Sequence, residues 1–400
     1  MWPVVIVGAG PAGLVLAWVL HRAGVPVLVL ERSTREELGR LPKAGAMEHR
    51  VARMLEREGL GAPILALGQE NHRCEFRTPQ ASTVVEYGAL TGGRGHVILP
   101  QHLLVDRVCG ALLDVGVPMW FSHGVREVRD GPDEAVLTVE QPDGTERQLR
   151  ARVVIGADGA AGVVARAVVA APEVRVHDRR LPGRWLVIAA ATPPLVGHTI
   201  YAAHPRGFAS HLRRGPDETR FYLEIAGDQE AADWSMDEIR AELGVRLGVG
   251  AALEDARIDA VGTLDLRTRV VEPMQHGRLV LIGDAAHLIT PAGGKGMNLA
   301  LVDAVELGHA LAEALGSAGD ARWRAFSDTR LTAIWRTQAF SDWLLRILSA
   351  RSAGATGGTG DDGGAARDFG LGLREGWVDA LGSDPLLARW FAHAYAGVEP

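Results

Sequence analysis

Short runs of apolar, mostly β-branched residues recur along the chain, and a glycine-containing turn or an acidic residue follows each run. Such continuous runs predict strands that are buried on both faces, as in the parallel sheet of an α/β domain. The runs occupy residues 4–7, 27–30, 153–155 and 279–282. Apolar residues at helical spacing predict helices over residues 46–60, 101–115, 298–315 and 321–350.

From residue 185 to residue 225 the pattern changes to shorter segments, which Pro193-Pro194 and Gly215-Pro216 separate. Turns of this composition are typical of antiparallel strands. We predict four such strands, over residues 186–190, 199–203, 207–212 and 219–225. Residues 125–150 predict hairpin strands in the same way, with a turn at Pro142-Asp143-Gly144. The chain therefore combines a parallel-sheet pattern with an antiparallel one.

The first predicted strand leads into Gly8-Ala9-Gly10-Pro11-Ala12-Gly13, a GxGxxG motif followed by a helical pattern. In a dinucleotide-binding unit, Gly8 permits the tight turn, Gly10 lets the backbone approach a pyrophosphate, and Gly13 lets the helix approach the strand. Free N–H groups at the helix start favour phosphate. Glu31 ends the second strand about twenty residues later, where a carboxylate can bind a ribose. The motif in this context predicts a dinucleotide site.

Composition and charge narrow the class of protein and of partner. The chain has 400 residues, of which 47% are hydrophobic and 23% charged, as expected for a globular protein of two or three domains. A net charge of −7 argues against a nucleic-acid surface, and no stretch reaches the ~20 apolar residues that span a membrane. Cys74 and Cys109 are the only cysteines. They form no metal-ligand pattern, so we expect no metal, reduced thiols and a cytoplasmic location.

Three predicted strand ends combine glycine with an acidic residue: the GxGxxG strand with Glu31, residues 156–159 and residues 283–287. Acidic residues at the carboxyl ends of parallel strands lie at the ligand crevice, so Asp158 and Asp284 are candidates for binding cofactor hydroxyl groups. The start of the next helix offers N–H groups suited to a flavin carbonyl or a phosphate, at Lys295, Gly296, Met297 and Asn298. In this order the motifs resemble the FAD-dependent aromatic hydroxylases of the single-component monooxygenase group.

The chain is similar in particular to the 4-hydroxybenzoate hydroxylase family, over nearly its whole length. The similarity is carried by residues 204–209, 276–287 and 295–298, and it excludes residues 354–364, whose composition predicts a flexible loop. The fold class is then α/β (α+β), with a Rossmann-like FAD-binding domain, an inserted antiparallel-sheet substrate domain and a helical C-terminal region. These three parts comprise residues 1–72, 97–180 and 264–348; residues 73–96 and 181–263; and residues 349–400.

The resemblance implies a reaction and the residues that perform it. NAD(P)H reduces FAD, O2 adds to the flavin, and the C4a-hydroperoxide transfers oxygen to a phenol ring ortho to its hydroxyl group. Ionisation makes that ring position more nucleophilic, and the family removes the phenol proton through two tyrosines and a histidine. Tyr201, Tyr395 and His72 stand at the matching positions, and Pro291 matches a residue whose carbonyl lies near the ring. Without the resemblance, either tyrosine is more often a packed aromatic residue.

The family holds the substrate carboxylate with a serine, an arginine and a tyrosine. Arg214 and Tyr222 match two of these residues, but Leu212 stands at the serine position and Ala292 replaces a neighbouring threonine. Trp185 is a further candidate for binding the substrate. Loss of the serine hydrogen bond costs about 0.5–1.5 kcal/mol. Two interpretations stay open: a changed or enlarged ring substituent, or weaker binding of the same acid.

The resemblance also implies contacts with the cofactor and with the coenzyme. It assigns FAD contacts to Ala12, Arg32, Lys43, Gln101 and Arg220, with Lys43 at an arginine position. Arg267 matches a residue that binds the pyridine nucleotide, while Ala161 replaces a histidine used with it. Glu36 and Glu37 lie in the segment that selects the coenzyme, and their charge would repel a 2′-phosphate. We therefore expect NADH to be used as well as, or instead of, NADPH.

We predict an FAD-dependent monooxygenase that hydroxylates a 4-hydroxybenzoate-like acid ortho to its phenol. Within this class, the alternatives are a substituted or enlarged 4-hydroxy- or 4-aminobenzoate, or oxidative decarboxylation. Outside it, the alternatives are an FAD oxidoreductase without hydroxylation and a non-catalytic binding protein, which would not need the two tyrosines and the histidine. The expected partners are a small aromatic substrate and O2, without nucleic acid or membrane, and the family suggests a homodimer.

Overall fold

A computed structural model of the chain describes residues 1–38, 45–316, 319–349 and 369–398. Its strands are β1 Trp2–Val7, β2 Val27–Leu30, β3 Ala46–Glu48, β4 Gln69–Asn71, β5 Cys74–Arg77, β6 Ser82–Val85, β7 His96–Ile98, β8 Met119–Trp120, β9 Gly124–Arg129, β10 Ala135–Glu140, β11 Glu146–Gly156, β12 Arg175–Ala191, β13 Thr199–Ala202, β14 Ala209–Arg213, β15 Thr219–Ile225, β16 Arg257–Glu272, β17 Gln275–His276, β18 Leu279–Leu281 and β19 His287–Leu288.

The helices are α1 Pro11–Arg22, α2 Arg35–Leu38, α3 His49–Arg57, α4 Gly61–Leu65, α5 Tyr87–Leu90, α6 Gln101–Asp114, α7 Val163–Val169, α8 Met236–Leu247, α9 Gly296–Leu315, α10 Ala321–Leu348, α11 Phe369–Ser383 and α12 Pro385–Ala396. Within the described ranges, no helix combines the length and the hydrophobicity needed to cross a membrane. Lys43 and the predicted loop at residues 354–364 lie outside the described residues.

The first sheet has the order β17-β18-β11-β1-β2-β8. Strands β18, β11, β1, β2 and β8 are parallel, and the hairpin of β9 and β10 continues antiparallel from the first half of β11. The apolar residues of β1, β2 and β11 share one core with α1, α6 and α9. This arrangement confirms the predicted Rossmann-like sheet, because continuous apolar strands require cover on both faces.

The second sheet has the order β19-β16-β12-β15-β14-β13-β5-β6. Its pairs are antiparallel, as predicted for this domain, except for β5 and β13, which are parallel. A hairpin forces neighbouring strands to be antiparallel, and no hairpin joins β5 to β13, because β5 enters the sheet from a distant part of the chain. The four strands predicted between residues 186 and 225 are all present.

Two long strands connect the sheets and lie outside the predicted elements over much of their length. Strands β12 and β16 have 17 and 16 residues and pair along most of their length. In β12, residues 175–180 are mostly charged and exposed, so they show no alternation of polar and apolar positions. Backbone pairing with β16 stabilises this part of the strand. The predicted domain boundaries after residues 180 and 263 fall inside these strands, and the division into domains stays a prediction.

The two faces of the second sheet have different cover. On one face, α8 packs over Leu186, Ile188 and Phe221 in a core of its own. On the other face, residues of α10, α11 and α12 share a core with Trp185, Tyr201 and Tyr222. The C-terminal helices therefore close the face of the sheet that carries the predicted substrate residues.

One predicted helix is partly wrong. Residues 46–60 were expected to be helical, but residues 46–48 form β3, and α3 extends only over His49–Arg57. Strand β3 pairs with β7, which also pairs with β4. This small sheet borders the pocket described below, and its tertiary pairing outweighs the helical pattern of the sequence.

Candidate active site

The glycine motif forms the tight turn that a dinucleotide requires. Gly8 has φ +104°, and a Cβ atom there would lie 2.4 Å from the carbonyl oxygen of Ala157. A Cβ atom at Gly13 would lie 2.1 Å from the carbonyl oxygen of Gly8, whereas one at Gly10 would meet no atom within 4 Å. The first and last glycines therefore allow close packing, and Gly10 faces open space before the start of α1. Ala12 is buried behind this turn.

Three predicted acidic residues lie at the same edge of the parallel sheet. Glu31 follows β2, and its carboxylate accepts hydrogen bonds from Ala9 N at 2.8 Å and Ser33 N at 2.9 Å. Asp158 follows β11 and accepts from Val164 N at 3.1 Å, and its buried Oδ1 has no partner among the described residues. Burial raises the pKa of Asp158. Asp284 follows β18 and is exposed. This edge can therefore accept hydrogen bonds from a bound nucleotide.

A buried charge cluster orients the turn that carries Asp284. Asp303 on α9 accepts hydrogen bonds from Gly283 N at 3.1 Å, from His287 Nε2 at 2.6 Å and from Arg330 Nε at 2.8 Å. Burial raises the pKa of Asp303, but His287 and Arg330 outweigh it and lower the value to about 2. His287, the histidine of the 283–287 motif, therefore contacts Asp303 on α9 and stabilises this turn.

Two of the residues predicted to bind the cofactor at the start of α9, Lys295 and Asn298, contact other segments of the protein in this structure. Lys295 Nζ donates to Glu48 Oε1 and to the carbonyl oxygens of Ala394 and Tyr395, each at 2.7 Å. Asn298 accepts from Glu48 N and donates to Ala46 O, both at 2.8 Å. Gly296 and Met297 begin the helix. Their contact with a flavin stays a prediction, because the side chains of Lys295 and Asn298 are engaged with protein atoms.

A pocket lies between the second sheet, the 291–294 loop and α12. It is lined by Gly45, Ala46, Asn71, His96, Ile98, Trp185, Thr199, Tyr201, Phe208, Ser210, Leu212, Arg213, Arg214, Arg220, Tyr222, Pro291, Ala292, Gly293, Gly294 and Tyr395. The pocket therefore contains Pro291 and all five residues predicted to bind substrate. Gln101, by contrast, opens α6, and Arg32 is exposed after Glu31.

Two tyrosine hydroxyl groups meet inside this pocket. Tyr201 Oη on β13 and Tyr395 Oη on α12 are 2.9 Å apart and hydrogen-bonded. Burial raises the pKa of both residues, so each hydroxyl group keeps its proton at neutral pH. A hydroxyl group can donate and accept at the same time, and the pair can therefore pass a proton along without holding a charge.

His72 does not contact this tyrosine pair directly. Its Nε2 lies 2.9 Å from Glu70 Oε2, and its side chain is 40% exposed. The histidine that lines the pocket is His96 and not His72. Its ring centre lies 4.8 Å from that of Tyr395. Tyr87 Oη lies 3.1 Å from His96 Nδ1. The structure thus brings together two of the three predicted relay residues and adds a second histidine.

Cationic and donor groups also line the pocket. Arg214 remains protonated at neutral pH, although burial and the charge of Arg220 lower its pKa to about 10. Arg213 Nε and Trp185 Nε1 are buried and have no acceptor among the described residues. Leu212 is half-buried in the wall. Because unpaired buried donors are costly, these atoms favour a ligand that carries an anionic or acceptor group.

The predicted coenzyme residue lies outside this pocket. Arg267 Nε donates to Asp178 Oδ1 at 2.8 Å on the surface of β12 and β16. Two positions along β16, Arg269 donates to the carbonyl oxygen of Ala160 at 2.6 Å, beside the alanine at the expected histidine position. Arg269 was not among the sequence candidates, and its proximity to Ala160 arises only when β16 passes the end of β11.

Sequence reasoning missed two residues that line the pocket, His96 and Arg213, and two that lie next to it, Tyr87 and Glu48. His96, Tyr87 and Glu48 lie in short elements without a recognisable motif, and Arg213 precedes the predicted Arg214. The burial of His96, at 2% exposure, comes from contacts with α5 and α12. A polar residue directly before the apolar run at residues 97–99 is the only local signal.

The residues at the sheet edge fit FAD. The open side of Gly10, the N-terminus of α1 and the partner-free Asp158 Oδ1 suit a pyrophosphate and hydroxyl groups. The FAD binding domain family matches residues 1–341 of the chain. The p-hydroxybenzoate hydroxylase of Acinetobacter baylyi is 29% identical over 353 residues, which cover 86% of this chain and 85% of that protein.

Further comparisons agree on the family and the fold. Rifampicin monooxygenase of Streptomyces venezuelae is 29% identical over 316 residues, 78% of this chain but only 64% of that protein. The crystal structure of p-nitrophenol 4-monooxygenase from Pseudomonas putida superposes with a TM-score of 0.84 at 20% identity and covers 100% of this chain and 99% of that one. This likeness shows a shared fold. The chain therefore belongs to the FAD binding domain family and is an FAD-dependent monooxygenase of the aromatic hydroxylase group.

Proposed function

We propose that this enzyme hydroxylates a 4-hydroxybenzoate-like aromatic acid ortho to its phenol group. The observation that carries the proposal is the buried Tyr201–Tyr395 hydroxyl pair, in a pocket that also contains the half-buried cation of Arg214. A para-hydroxylated aromatic acid has a phenol group that suits the tyrosine pair and a carboxylate that suits Arg214. The similarity to the p-hydroxybenzoate hydroxylase of Acinetobacter baylyi also supports this substrate class.

The pocket residues would bind and ionise the substrate. Arg214 and Tyr222 would hold the carboxylate, and the tyrosine pair would accept the phenol proton through Tyr201. Each unit by which the phenol pKa falls needs ~1.4 kcal/mol of preferential phenolate binding. Bound FAD, held by the sheet-edge residues and reduced by NADH or NADPH, would activate O2, of which one oxygen atom would go to the ring and the other to water. Pro291 and Ala292 would pack against the ring and exclude water.

Leu212 supports a second candidate within the same chemistry. An apolar residue at this wall and the unpaired donors of Arg213 and Trp185 favour a substrate with an additional substituent or acceptor group. Such a substrate would be a substituted or enlarged 4-hydroxybenzoate or a 4-aminobenzoate. Comparison of kcat/KM for these acids and for 4-hydroxybenzoate distinguishes the two candidates.

We also propose that NADH serves the enzyme at least as well as NADPH. Glu36 is exposed on α2, whereas the Glu37 carboxylate accepts a hydrogen bond from Thr34 N at 3.0 Å. The exposed carboxylate of Glu36 would repel a 2′-phosphate in this segment. A KM for NADPH clearly below that for NADH would contradict this proposal.

The setting of the enzyme is part of the proposal. Cys74 and Cys109 are buried free thiols, as expected in a reducing, cytoplasmic environment. Leu373, Trp377, Leu386 and Trp390 expose apolar surface on α11 and α12, and we infer that a second copy of the chain covers it in a homodimer. Light scattering of the purified holoenzyme tests this inference, and a monomeric mass would contradict it.

Product analysis by mass spectrometry tests the function directly. The purified FAD-loaded protein is mixed with 4-hydroxybenzoate in two separate reactions, one with NADH and one with NADPH. A product one oxygen heavier, formed in step with coenzyme consumption, is the expected result. Coenzyme consumption that yields only hydrogen peroxide would mean that the flavin reacts with O2 as proposed but that 4-hydroxybenzoate is not the substrate.

The Tyr201→Phe variant tests the assigned proton path. Flavin reduction should persist, because it does not use the phenol proton, while hydroxylated product should fall by about 100-fold or more. The reduction rate of the same variant is the internal control. An unchanged product yield would contradict the assignment.

A further inference from the structure

A groove outside the substrate pocket lies between the two long strands, β12 and β16, and the helix α10. Residues 176–179 of β12, residues 268–270 of β16 and positions between 335 and 342 of α10 line it. Its volume is about 610 Å³, within the range of about 300–1,000 Å³ that is typical of small-molecule sites. None of these residues lines the pocket of the tyrosine pair. The groove is therefore a separate candidate site, to which the proposed function assigns no ligand.

Arg269 brings a buried positive charge into the wall of this groove. The residue is 9% exposed, and its Nη1 donates to the carbonyl oxygen of Ala160 at 2.6 Å. Its Nε is buried without an acceptor, and its guanidinium has no ion pair, among the residues that the structure describes. The carboxylate of Asp178 pairs with Arg267 instead, at 2.8 Å. Because a buried charge without a partner is costly, Arg269 favours an anionic ligand.

The other charged groups of the groove have partners within the protein. Arg179 on β12 forms an ion pair with Asp342 on α10. Nε2 of His177 lies 3.3 Å from Oε2 of Glu272. Within the described ranges, Arg269 is therefore the lining residue whose charge no carboxylate compensates. One phosphate or carboxylate group on a ligand would supply the missing negative charge.

Trp335 gives the groove an exposed aromatic surface. The residue is 40% exposed, and its ring centre lies 5.2 Å from that of His177, with the two ring planes at 79°. One turn further along α10, Gln338 Nε2 donates to the carbonyl oxygen of Leu288 at 2.7 Å, which fixes the side chain on this side of the groove. Exposed aromatic side chains bind flat rings by stacking. The groove therefore combines a surface for a ring with an uncompensated cation.

We propose that this groove is a second ligand site, for a planar aromatic molecule that carries a phosphate or carboxylate group. Arg269 binds the anionic group, and Trp335 packs against the ring. Two kinds of molecule in the proposed reaction have this chemistry: a nucleotide carries phosphate beside its base, and an aromatic acid carries its carboxylate on the ring. The site itself does not depend on the proposed reaction, because no residue of the groove belongs to the substrate pocket.

Isothermal titration calorimetry of the FAD-loaded protein tests this proposal, because bound FAD keeps nucleotides out of the cofactor site. The probes are AMP and 4-hydroxybenzoate, with adenosine and inorganic phosphate as the separate halves of AMP. A nucleotide ligand predicts that AMP binds more tightly than either half, and an aromatic acid predicts two sites for 4-hydroxybenzoate, one in the pocket and one in the groove. Arg269→Gln should weaken binding in the groove by at least about tenfold.

Two further variants separate the anion contact from changes in structure or net charge. Arg180 is an exposed residue of β12 that does not line the groove, so Arg180→Gln removes the same charge and should bind each probe as the wild type does. Trp335→Ala keeps Arg269 and removes an exposed ring. It should weaken binding of the aromatic probe in the groove by about fivefold or more, without changing the affinity for inorganic phosphate. If Arg269→Gln does not fold, Trp335→Ala decides the test.

The two aromatic probes also distinguish the sources of the ligand. AMP binding that depends on Arg269 would assign the groove to a nucleotide, and a second 4-hydroxybenzoate site that depends on Arg269 would assign it to an aromatic acid. Equal affinities of the wild type and Arg269→Gln for both probes would overturn the proposal. So would a wild-type protein that binds no AMP and has a single site for 4-hydroxybenzoate. Neither result affects the proposed hydroxylation, which the product analysis tests separately.

Discussion

The sheet edge that carries the glycine motif and the pocket that carries the tyrosine pair are built in different ways. At the sheet edge, the turn, the helix start and Glu31 come from one continuous stretch, and Ala9 and Glu31 are only 22 positions apart. In the pocket, Tyr201 contacts Tyr395 across 194 positions of sequence. Next to the pocket, Lys295 contacts Glu48 across 247 positions. The first site therefore depends on local backbone geometry, and the second depends on the docking of α12 against the second sheet.

Substitution of Gly13 should have the largest effect, because it attacks the local geometry. In Gly13→Val, a Cβ atom would lie 2.1 Å from Gly8 O, and we expect a loss of more than about 4 kcal/mol of stability together with the bound FAD. Flavin content of the purified protein and thermal unfolding measure both.

Two other glycines are matched controls for that substitution. Gly10→Ala meets no protein atom within 4 Å, so it should fold normally and bind FAD more weakly. Gly110→Ala on α6 also meets none and should stabilise the helix by up to ~1 kcal/mol without changing FAD affinity. Normal FAD content in Gly13→Val would refute the close-packing explanation.

Removal of Lys295 should be next, because it breaks the long-range attachment of α12. In Lys295→Met, Glu48 keeps Arg50 as its one ionic partner among the described residues, and the carbonyl groups of Ala394 and Tyr395 lose this donor. We expect a loss of about 3 kcal/mol, measured by urea unfolding. Arg50→Met is the control and should cost less than about 1 kcal/mol. Equal losses in the two variants would mean that burial of the pair does not matter.

Acid should weaken the nucleotide-binding region through Asp303. Its pKa is about 2 in the folded protein against 3.8 as the ordinary value. Because the folded value is the lower one, the stabilisation is complete above pH 3.8 and is lost as the pH falls towards about 2. The loss amounts to about 2 kcal/mol.

Urea unfolding of wild type and Asp303→Asn, at a series of pH values, measures this contribution. The variant should be less stable at neutral pH and should lose less stability in acid, because it has no carboxylate to protonate at this position. Parallel pH profiles for the two proteins would show that Asp303 does not contribute in this way.

Leu212 should give the smallest effect and sharpen the description of the pocket. Leu212→Ser restores a hydroxyl group near Arg214, and a hydrogen bond worth about 0.5–1.5 kcal/mol would lower the Kd of 4-hydroxybenzoate by about 2- to 12-fold. Leu212→Ala is the control, because it enlarges the pocket without a hydroxyl group. If both variants bind the acid equally well, space rather than hydrogen bonding limits affinity.

The sequence predicted the parallel sheet and the four central strands of the second sheet correctly. The continuous apolar runs allow only strands that are covered on both faces, and the short segments with turns between them indicate hairpins. It failed at β3 and over much of β12 and β16, where charged or short segments become strands only because a partner strand satisfies their backbone groups.

The residues of the candidate site also fall into two groups, those that the sequence predicted and those that only the tertiary structure revealed. The glycine turn, Glu31, Asp158 and Asp284 were determined by the sequence, because each is a fixed number of residues from a recognisable strand. The family resemblance supplied Tyr201, Tyr395 and Arg214, and the pocket contains them. Only the tertiary structure revealed His96, because its burial depends on Tyr87 and Tyr395, which lie on other elements. No local pattern can encode contacts that form only when those elements pack together.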